Sequence, residues 1–182
     1  MRGTTFTGVI LAGGTSRRMG TDKGKMQLGG KPMLAIMRQK LLDAGASRIA
    51  VLGLPDEDGG IVDQQPGQGP VCAAVHYLDK QPLGSKHLFV PVDMPALDPL
   101  LLSRLARQSY WAHFAGYNLP FLGVADGIRL EPPRRLYELL MIKMARQLAV
   151  GGDGSEAFIN LNSPQDYINY TGCSAAFAGR ME

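Results

Sequence analysis

The stretch TGVILAGGTSRRMG, residues 7–20, joins a short apolar run to two adjacent glycines and a pair of arginines. Its first five residues, TGVIL, are mostly β-branched or aliphatic, a composition typical of a buried β-strand. Adjacent glycines directly after a strand allow the backbone to approach a ligand closely and to present N–H groups to it. The stretch therefore predicts a strand that leads into a ligand-binding loop.

Strand-like and helix-like segments alternate along the rest of the chain. Apolar residues at helical spacing predict helices over 32–44, 71–78, 99–108 and 134–150, with a last helix from Pro164. Continuous apolar runs predict strands over 49–54, 87–92 and 157–161, a short one at 61–62, and two more around Asn118 within 110–125. This alternation predicts an α/β fold, a single three-layer domain whose mainly parallel, Rossmann-like sheet has helices on both faces.

The composition is that of a soluble globular protein. Of 182 residues, 45% are hydrophobic and 19% are charged, and no apolar run is long enough to span a membrane. The net charge of +3 is modest, so the chain as a whole does not have the character of a nucleic-acid-binding protein. Cys72 and Cys173 suggest neither a disulfide framework nor a metal-binding motif, which predicts a reducing, cytoplasmic location.

The charge is unevenly distributed, and the first 31 residues are strongly basic. They contain one acidic residue, Asp22, and six basic ones: Arg2, Arg17, Arg18, Lys23, Lys25 and Lys31. A positive field beside glycines favours a phosphate-rich ligand, which Arg18 would contact through two N–H groups and Lys23 as a point charge. The loop is not a P-loop, because Gly20 is followed by Thr-Asp, and its adjacent glycines do not fit the dinucleotide fingerprint. The alternatives are a solvated basic face and an ordinary glycine-rich turn.

Two further polar segments are expected at strand ends, where ligands bind in open parallel sheets. The segment VPVDMP, residues 90–95, holds Asp93 between two prolines. A carboxylate there suits Mg²⁺, or else bonds to the backbone of its own turn. The segment FINLNSP, residues 158–164, would carry Asn160 and Asn162 on one face of a strand. These side chains would hold a metal-bound water or a substrate phosphate, or cap the following helix.

Four segments together resemble the molybdenum cofactor guanylyltransferase family. They are LAGGTSRRMGTDKGKMQLGGKPML (residues 11–34), GPV (69–71), VPVDMP (90–95) and FINLNSP (158–164). The first is similar to the glycine-rich signature of the wider nucleotidyltransferase superfamily. Its combination with the last segment is typical of the guanylyltransferase branch.

The resemblance implies a division of the chain and a reaction. A nucleotide-binding half would span about 1–98 and an acceptor-binding half about 99–170, with a tail over 171–182. The terminal phosphate of molybdopterin would attack the α-phosphorus of GTP and release pyrophosphate. Implied partners are these small molecules and other proteins of molybdenum cofactor biosynthesis, but neither nucleic acid nor a membrane.

The resemblance also implies roles for particular residues. Arg18, Lys23 and Asp93 would be catalytic, with Asp93 as the Mg²⁺ ligand. The residues that would bind GTP and its metal are Leu11, Ala12, Gly13, Gly14, Lys23, Asp63, Gly69, Asp93, Asn160 and Asn162.

The sequence departs from the family pattern at two places. The second main strand ends in Leu52-Gly53-Leu54, where the family usually has an asparagine that contacts the nucleotide, and residues 119–120 read Leu-Pro instead of His-Pro. Two alternatives therefore stay open: a sister nucleotidyltransferase that uses CTP or a sugar-phosphate acceptor, and a non-catalytic nucleotide-binding module. Methionines within 134–150 are expected in the core. The three histidines, His76, His87 and His113, are expected to be structural.

Overall fold

Strands and helices alternate along the residues that the computed structural model describes, which are 5–13, 26–54, 57, 59–61, 68–151, 154–163 and 165–171. The strands are β1 (Thr7–Leu11), β2 (Gln27–Leu28), β3 (Lys31–Pro32), β4 (Arg48–Leu52), β5 (Gly60–Ile61), β6 (Lys86–Pro91), β7 (Ala112–Phe114), β8 (Phe121–Val124) and β9 (Arg146–Leu148). The helices are α1 (Met33–Asp43), α2 (Pro70–Leu78), α3 (Pro99–Ala106), α4 (Leu136–Ile142), a 3₁₀ helix at Gly154–Phe158, and α5 over 165–171.

Seven of the strands form one sheet in the order β5-β4-β1-β6-β8-β7-β9. β1 lies between β4 and β6 and is parallel to both, with Val9 opposite Ala50 on one side and Phe89 on the other. β8 runs antiparallel to its neighbours β6 and β7, whereas β9 is parallel to β7. The predicted mainly parallel α/β sheet is confirmed.

Helices cover both faces of the sheet, because side chains of the central strands alternate between two cores. Ile10 packs on one face with α1 and α3, and Val9 and Leu11 pack on the other with α2 and α4. The helical side chains of the first core are Met33, Leu34, Met37, Leu41, Leu102 and Leu105, and those of the second are Val71, Ala74, Val75, Leu78, Leu139 and Leu140. Burial on both faces explains the unbroken apolar sequence of β1 and confirms the three-layer arrangement.

Two helices begin at prolines. Pro70 and Pro99 lie in the first turns of α2 and α3, where a missing N–H leaves no hydrogen bond unmade. The side chain of Asp98 caps α3 by accepting a hydrogen bond of 2.9 Å from the N–H of Leu100.

The long helix predicted over 134–150 is wrong, because this segment forms a short helix followed by a strand. α4 ends at Ile142, and Met144 then adopts a φ of +48°. Beyond it the N–H of Arg146 donates to the carbonyl of Trp111 (2.8 Å), and β9 pairs with β7. Hydrogen bonding to the edge of the sheet overrides the helical spacing of the side chains here.

The prediction that the methionines of this segment lie in the core is also wrong. Met141 and Met144 are 72% and 89% exposed, whereas Leu139 and Leu140 are buried in the core shared with α2. Successive helical residues are rotated by about 100°. Directing the two leucines inward therefore turns Met141 toward solvent.

The strand predicted over 157–161 is replaced by the 3₁₀ helix and a segment that lies outside the sheet. Phe158 and Leu161 are buried while Ile159 between them is 42% exposed. Two consecutive exposed residues, Ile159 and Asn160, lie between the buried ones, which does not fit the alternation of a strand.

Within the described part of the chain, the structure contains no helix long and apolar enough to cross a bilayer.

Candidate active site

The carboxyl ends of β1, β4 and β6 meet at one edge of the sheet and are bonded to one another beyond the strands. The N–H of Val92, after β6, donates to the carbonyl of Leu11 at 3.1 Å. The carbonyl of Leu52, at the end of β4, accepts from the N–H groups of both Ala12 (2.9 Å) and Gly13 (3.0 Å). These main-chain bonds fix the path on which the glycine-rich loop begins.

The same bonds change the role expected of Gly13. Its N–H already has an acceptor in the carbonyl of Leu52, so it is not directed at a ligand. Gly13 is exposed, whereas Leu11 and Ala12 are buried, so the chain emerges at the surface at Gly13. The N–H groups of Ala12 and Gly13 are therefore both hydrogen-bonded within the protein.

Asp93 follows β6 in a tight turn and is half-buried at this edge. Its backbone carbonyl accepts a hydrogen bond of 2.9 Å from the N–H of Leu161. This bond joins two segments that lie almost 70 residues apart in the sequence. Both segments were predicted from the sequence to belong to the site.

Asn160 and Asn162 flank Leu161 and are exposed. Because no strand forms here, strand alternation is not what places them. Their position beside Asp93 results instead from the burial of Leu161 and from its main-chain bond.

The helix that follows is capped by Ser163 and Asp166. The hydroxyl of Ser163 accepts from the N–H of Asp166 at 3.2 Å, and the Asp166 carboxylate accepts from the N–H groups of Asn162 (2.9 Å) and Ser163 (2.8 Å). This is a reciprocal cap, in which side chains satisfy backbone N–H groups at the start of a helix. The capping oxygens come from Ser163 and Asp166, and not from Asn160 or Asn162.

An aromatic pair, which the sequence did not reveal, holds the 3₁₀ helix against the loop after β7. The rings of Tyr117 and Phe158 are stacked with centroids 3.8 Å apart, and Phe114 meets Phe158 edge to face at 5.4 Å. The Nδ1–H of His113 donates to the carbonyl of Tyr117 at 2.8 Å, which keeps the loop turned toward Phe158. β7 runs in the same direction as β6, so this loop borders the same edge of the sheet as Asp93.

Arg104 of α3 also contributes to this edge, and the sequence did not reveal this role. Its guanidinium donates to the carbonyl of Ala149, just after β9, and lies 5.7 Å from the ring centroid of Phe114. Arginine is common on helix surfaces, so no sequence signal separates Arg104 from an ordinary exposed residue.

The remaining candidate residues divide into two groups. Gly69 is exposed and immediately precedes α2, which begins at Pro70. Gly14, Arg18, Lys23 and Asp63 lie outside the described residues.

The side chains at this edge fit a metal ion that takes most of its ligands from a bound substrate and from water. Among the described residues, no three His, Cys, Asp or Glu side chains are grouped closely enough to hold a metal ion. Asp93 offers one carboxylate, and Mg²⁺ is commonly bound by one or two carboxylates, phosphate oxygens and water. The arrangement thus suits a Mg²⁺ ion that arrives with a nucleotide.

His87 lies at the opposite, amino end of β6. Tyr77 donates its hydroxyl to Nδ1 of His87 (3.2 Å), and Nε2–H of His87 donates to Ser85 Oγ (2.8 Å), whose own hydrogen bonds the carbonyl of Pro82. Burial lowers the pKa of His87 to about 4 and raises the pKa of Tyr77 to about 12. His87 is therefore a neutral, hydrogen-bonded core residue, away from the edge that carries Asp93.

Comparison with known proteins identifies relatives of this chain by sequence. A family model described as a MobA-like NTP transferase domain matches residues 8–159. The molybdenum cofactor guanylyltransferase of Xanthomonas euvesicatoria is 39% identical over 174 residues, covering 89% of this chain and 92% of that protein. A probable molybdenum cofactor guanylyltransferase of Chloroflexus aggregans is 32% identical over 149 residues, covering 72% of this chain and 71% of that protein.

A solved structure shares the fold at much lower sequence identity. The molybdopterin-guanine dinucleotide biosynthesis protein A of Archaeoglobus fulgidus superimposes with a TM-score of 0.72 at 17% identity, covering 94% of this chain and 100% of that chain.

Proposed function

The chain belongs to the MobA-like NTP transferase family, and from this premise we propose that it transfers GMP from GTP to the terminal phosphate of molybdopterin. Pyrophosphate is the second product. The proposed reaction is the one named for the relatives from Xanthomonas and Chloroflexus, which are 39% and 32% identical to this chain.

One structural observation carries the proposal. The end of β1 is bonded to the ends of both β4 and β6, so the start of the glycine-rich loop and the Asp93 turn lie side by side. A nucleotide with its phosphates over Leu11–Gly14 would then have its metal next to the Asp93 carboxylate. The phosphates and the metal would then bind at one edge of the sheet, the carboxyl edge at which ligands of parallel sheets usually bind.

The other residues are assigned by the same proposal. Arg18 and Lys23 would neutralise the triphosphate, while Asp63 and Gly69 would contact the rest of the nucleotide. Asn160 and Asn162 would bind a metal-bound water or a substrate phosphate. In this division, residues 1–98 bind the nucleotide and residues 99–170 bind the acceptor.

Asp93 would hold Mg²⁺ through its carboxylate. When bound, the ion supplies charge neutralisation on the phosphate oxygens and so favours attack on phosphorus. Asp93 is half-buried at the edge of the sheet to which the end of β1 is bonded.

The chain's own part in the chemistry is to bind and orient. An oxygen of the acceptor phosphate forms a bond to the α-phosphorus as the bond from that phosphorus to the bridging oxygen breaks, and pyrophosphate leaves with the bond's electron pair. Such a transfer requires positioning and charge stabilisation rather than a covalent protein nucleophile. The main-chain bonds around Leu11, Leu52 and Val92 supply a rigid frame for that positioning.

Two departures from the family pattern keep a sister function as a second candidate. The second main strand ends in Leu52-Gly53-Leu54, where the family usually has an asparagine that contacts the nucleotide, and Leu119 stands where a histidine is usual. A nucleotidyltransferase that uses CTP or a sugar phosphate would share the frame described above. A non-catalytic module would bind nucleotide without releasing pyrophosphate.

We further propose that the protein acts in the cytoplasm beside other proteins of molybdenum cofactor biosynthesis.

Calorimetric titration with GTP, CTP and ATP, each with and without Mg²⁺, separates these functions. We expect Mg²⁺-dependent preference for GTP, followed by pyrophosphate release when molybdopterin is added. Preference for CTP would indicate the sister nucleotidyltransferase. GTP binding without pyrophosphate release would favour the non-catalytic module. Failure to bind any of the three nucleotides would contradict a phosphate-binding role for the glycine-rich loop.

A further inference from the structure

Gly53, the residue after β4, touches the backbone of the glycine-rich loop. It adopts a φ of +94°, and a Cβ added to it would lie 2.2 Å from Cα and 2.4 Å from N of Gly13. From the other side, a Cβ on Gly13 would lie 3.1 Å from Cα of Gly53. Because both a positive φ and a contact this short exclude a side chain, only glycine fits at residue 53 without movement of the loop.

The contact lies at the point where the loop leaves the sheet. Leu52, directly before Gly53, holds the N–H groups of Ala12 and Gly13 through one carbonyl. The backbone is therefore fixed on the side that faces β4, while Gly13 itself is exposed on the other side. The end of β4 therefore sets the orientation of the peptide groups at residues 12 and 13.

We propose that Gly53 is a positioning residue for the nucleotide. By having no side chain, it allows Ala12 and Gly13 to lie against the end of β4 and so fixes the point at which the loop leaves the sheet. This inference rests on the proposed function, because it assumes that the loop binds a nucleoside triphosphate. It assigns to Gly53 a role that acts through Gly13 and not through contact with the reacting atoms.

The test compares alanine substitutions at two glycines. Both substitutions would strain the backbone, but the added Cβ atoms would meet different neighbours. Gly59 also has a positive φ of +70°, and a Cβ there would lie 2.6 Å from the carbonyl oxygen of Ile49, four residues back along the chain from Gly53. Gly53→Ala and Gly59→Ala should therefore both lower the melting temperature. Only Gly53→Ala should lower kcat/KM for GTP, on the order of a hundredfold, as expected for a misplacement of about 1 Å.

Amide hydrogen exchange without nucleotide provides a readout that general destabilisation does not reproduce. In Gly53→Ala, the amides of Ala12 and Gly13 should exchange faster, because their bonds to Leu52 are disturbed, while those of Val9 and Ile10 keep their protection. If Gly53→Ala does not fold, Gly13→Ala repeats the measurement through a milder contact at the same point. Normal protection of the Ala12 amide in that variant would overturn the proposal.

The failures of this inference and of the proposed function can be told apart. If the unmodified protein binds GTP and Gly53→Ala binds it as tightly as Gly59→Ala does, the role of Gly53 is refuted and the function stands. If the unmodified protein binds no nucleoside triphosphate, the proposed function fails and this inference fails with it.

Discussion

Two aspartates five residues apart illustrate how position decides the role of one residue type. Asp93 lies in the turn after β6, where its backbone carbonyl is bonded to Leu161. Asp98 lies outside that turn, and its carboxylate caps α3 through the N–H of Leu100. Turnover and stability should therefore depend on different members of this pair.

Asp93→Ala should abolish most of the Mg²⁺-dependent turnover while leaving the protein folded. We expect a loss on the order of a hundredfold or more, since the proposed metal would lose its protein carboxylate. The bond from Leu161 to Asp93 involves the main chain, so the substitution does not remove it. Turnover at several Mg²⁺ concentrations, together with thermal unfolding, provides the measurement. Near-normal turnover would exclude Asp93 as the metal ligand.

Asp98→Ala should give the opposite result and serves as the matched control. Loss of its bond to Leu100 should lower the free energy of unfolding by about 1 kcal/mol, the usual contribution of an N-cap. Turnover per folded molecule should stay unchanged in this variant. Urea unfolding and an activity assay on the same preparation test both statements, and a turnover loss as large as that of Asp93→Ala would contradict the separation of roles.

At the scale of elements, α4 shows how a short helix divides adjacent side chains between core and surface. Leu140 is 3% exposed and packs in the core shared with α2, whereas Met141 is 72% exposed. The helix is seven residues long and starts with the Glu138 carboxylate accepting from the N–H of Arg135 at 3.2 Å. Tertiary packing through Leu139 and Leu140, rather than helix length, therefore stabilises it.

Alanine substitutions at these two neighbours should differ strongly in stability. Leu140→Ala should cost about 2–5 kcal/mol, because it leaves a cavity between α2 and α4. Met141→Ala removes a side chain that is mostly in solvent and should change stability by less than about 0.5 kcal/mol. Chemical denaturation of both variants measures the difference. Equal losses would mean that Met141 is packed against the protein, as the sequence pattern first suggested.

At the scale of the whole molecule, the two ends of β6 serve different purposes. Its carboxyl end leads to Asp93 and the candidate site, and its amino end carries His87 in a buried hydrogen-bonded group with Tyr77 and Ser85. Ligand-binding residues in parallel sheets gather at the carboxyl edge, so the amino edge is free to be purely structural. Titration of His87 should therefore affect folding and not the chemistry.

Stability should fall as the pH is lowered from about 6.5 to about 4. The pKa of His87 is about 4 in the folded protein, below its unfolded value of 6.5, so the unfolded chain binds more protons in this window. The resulting loss should be on the order of 2–3 kcal/mol by pH 4. Urea unfolding at intervals between pH 7 and 4 should show this decline in the unmodified protein and a smaller one in His87→Gln. Parallel pH profiles of the two proteins would refute the assignment to His87.

Much of the fold and part of the site follow from local sequence patterns. β1, β4 and β6 are recognisable because strands buried on both faces need unbroken apolar runs, and α2 and α3 because Pro70 and Pro99 suit a first helical turn. Asp93 is recognisable as a candidate because it directly follows such a strand. Each of these signals lies within a few consecutive residues.

Tertiary structure alone decided the features that depend on contacts between distant segments. β9 exists because β7 offers it hydrogen bonds on the side not paired with β8, although its own residues have helical spacing. Leu161 reaches Asp93 through one main-chain bond, and Gly53 touches Gly13 across 40 positions of sequence. The physical reason is the same in each case: a hydrogen bond or a close backbone contact between remote residues leaves no periodic pattern in either partner. The sequence by itself therefore determined the layers and selected the segments that carry candidate site residues, and the packed molecule determined which of those segments meet.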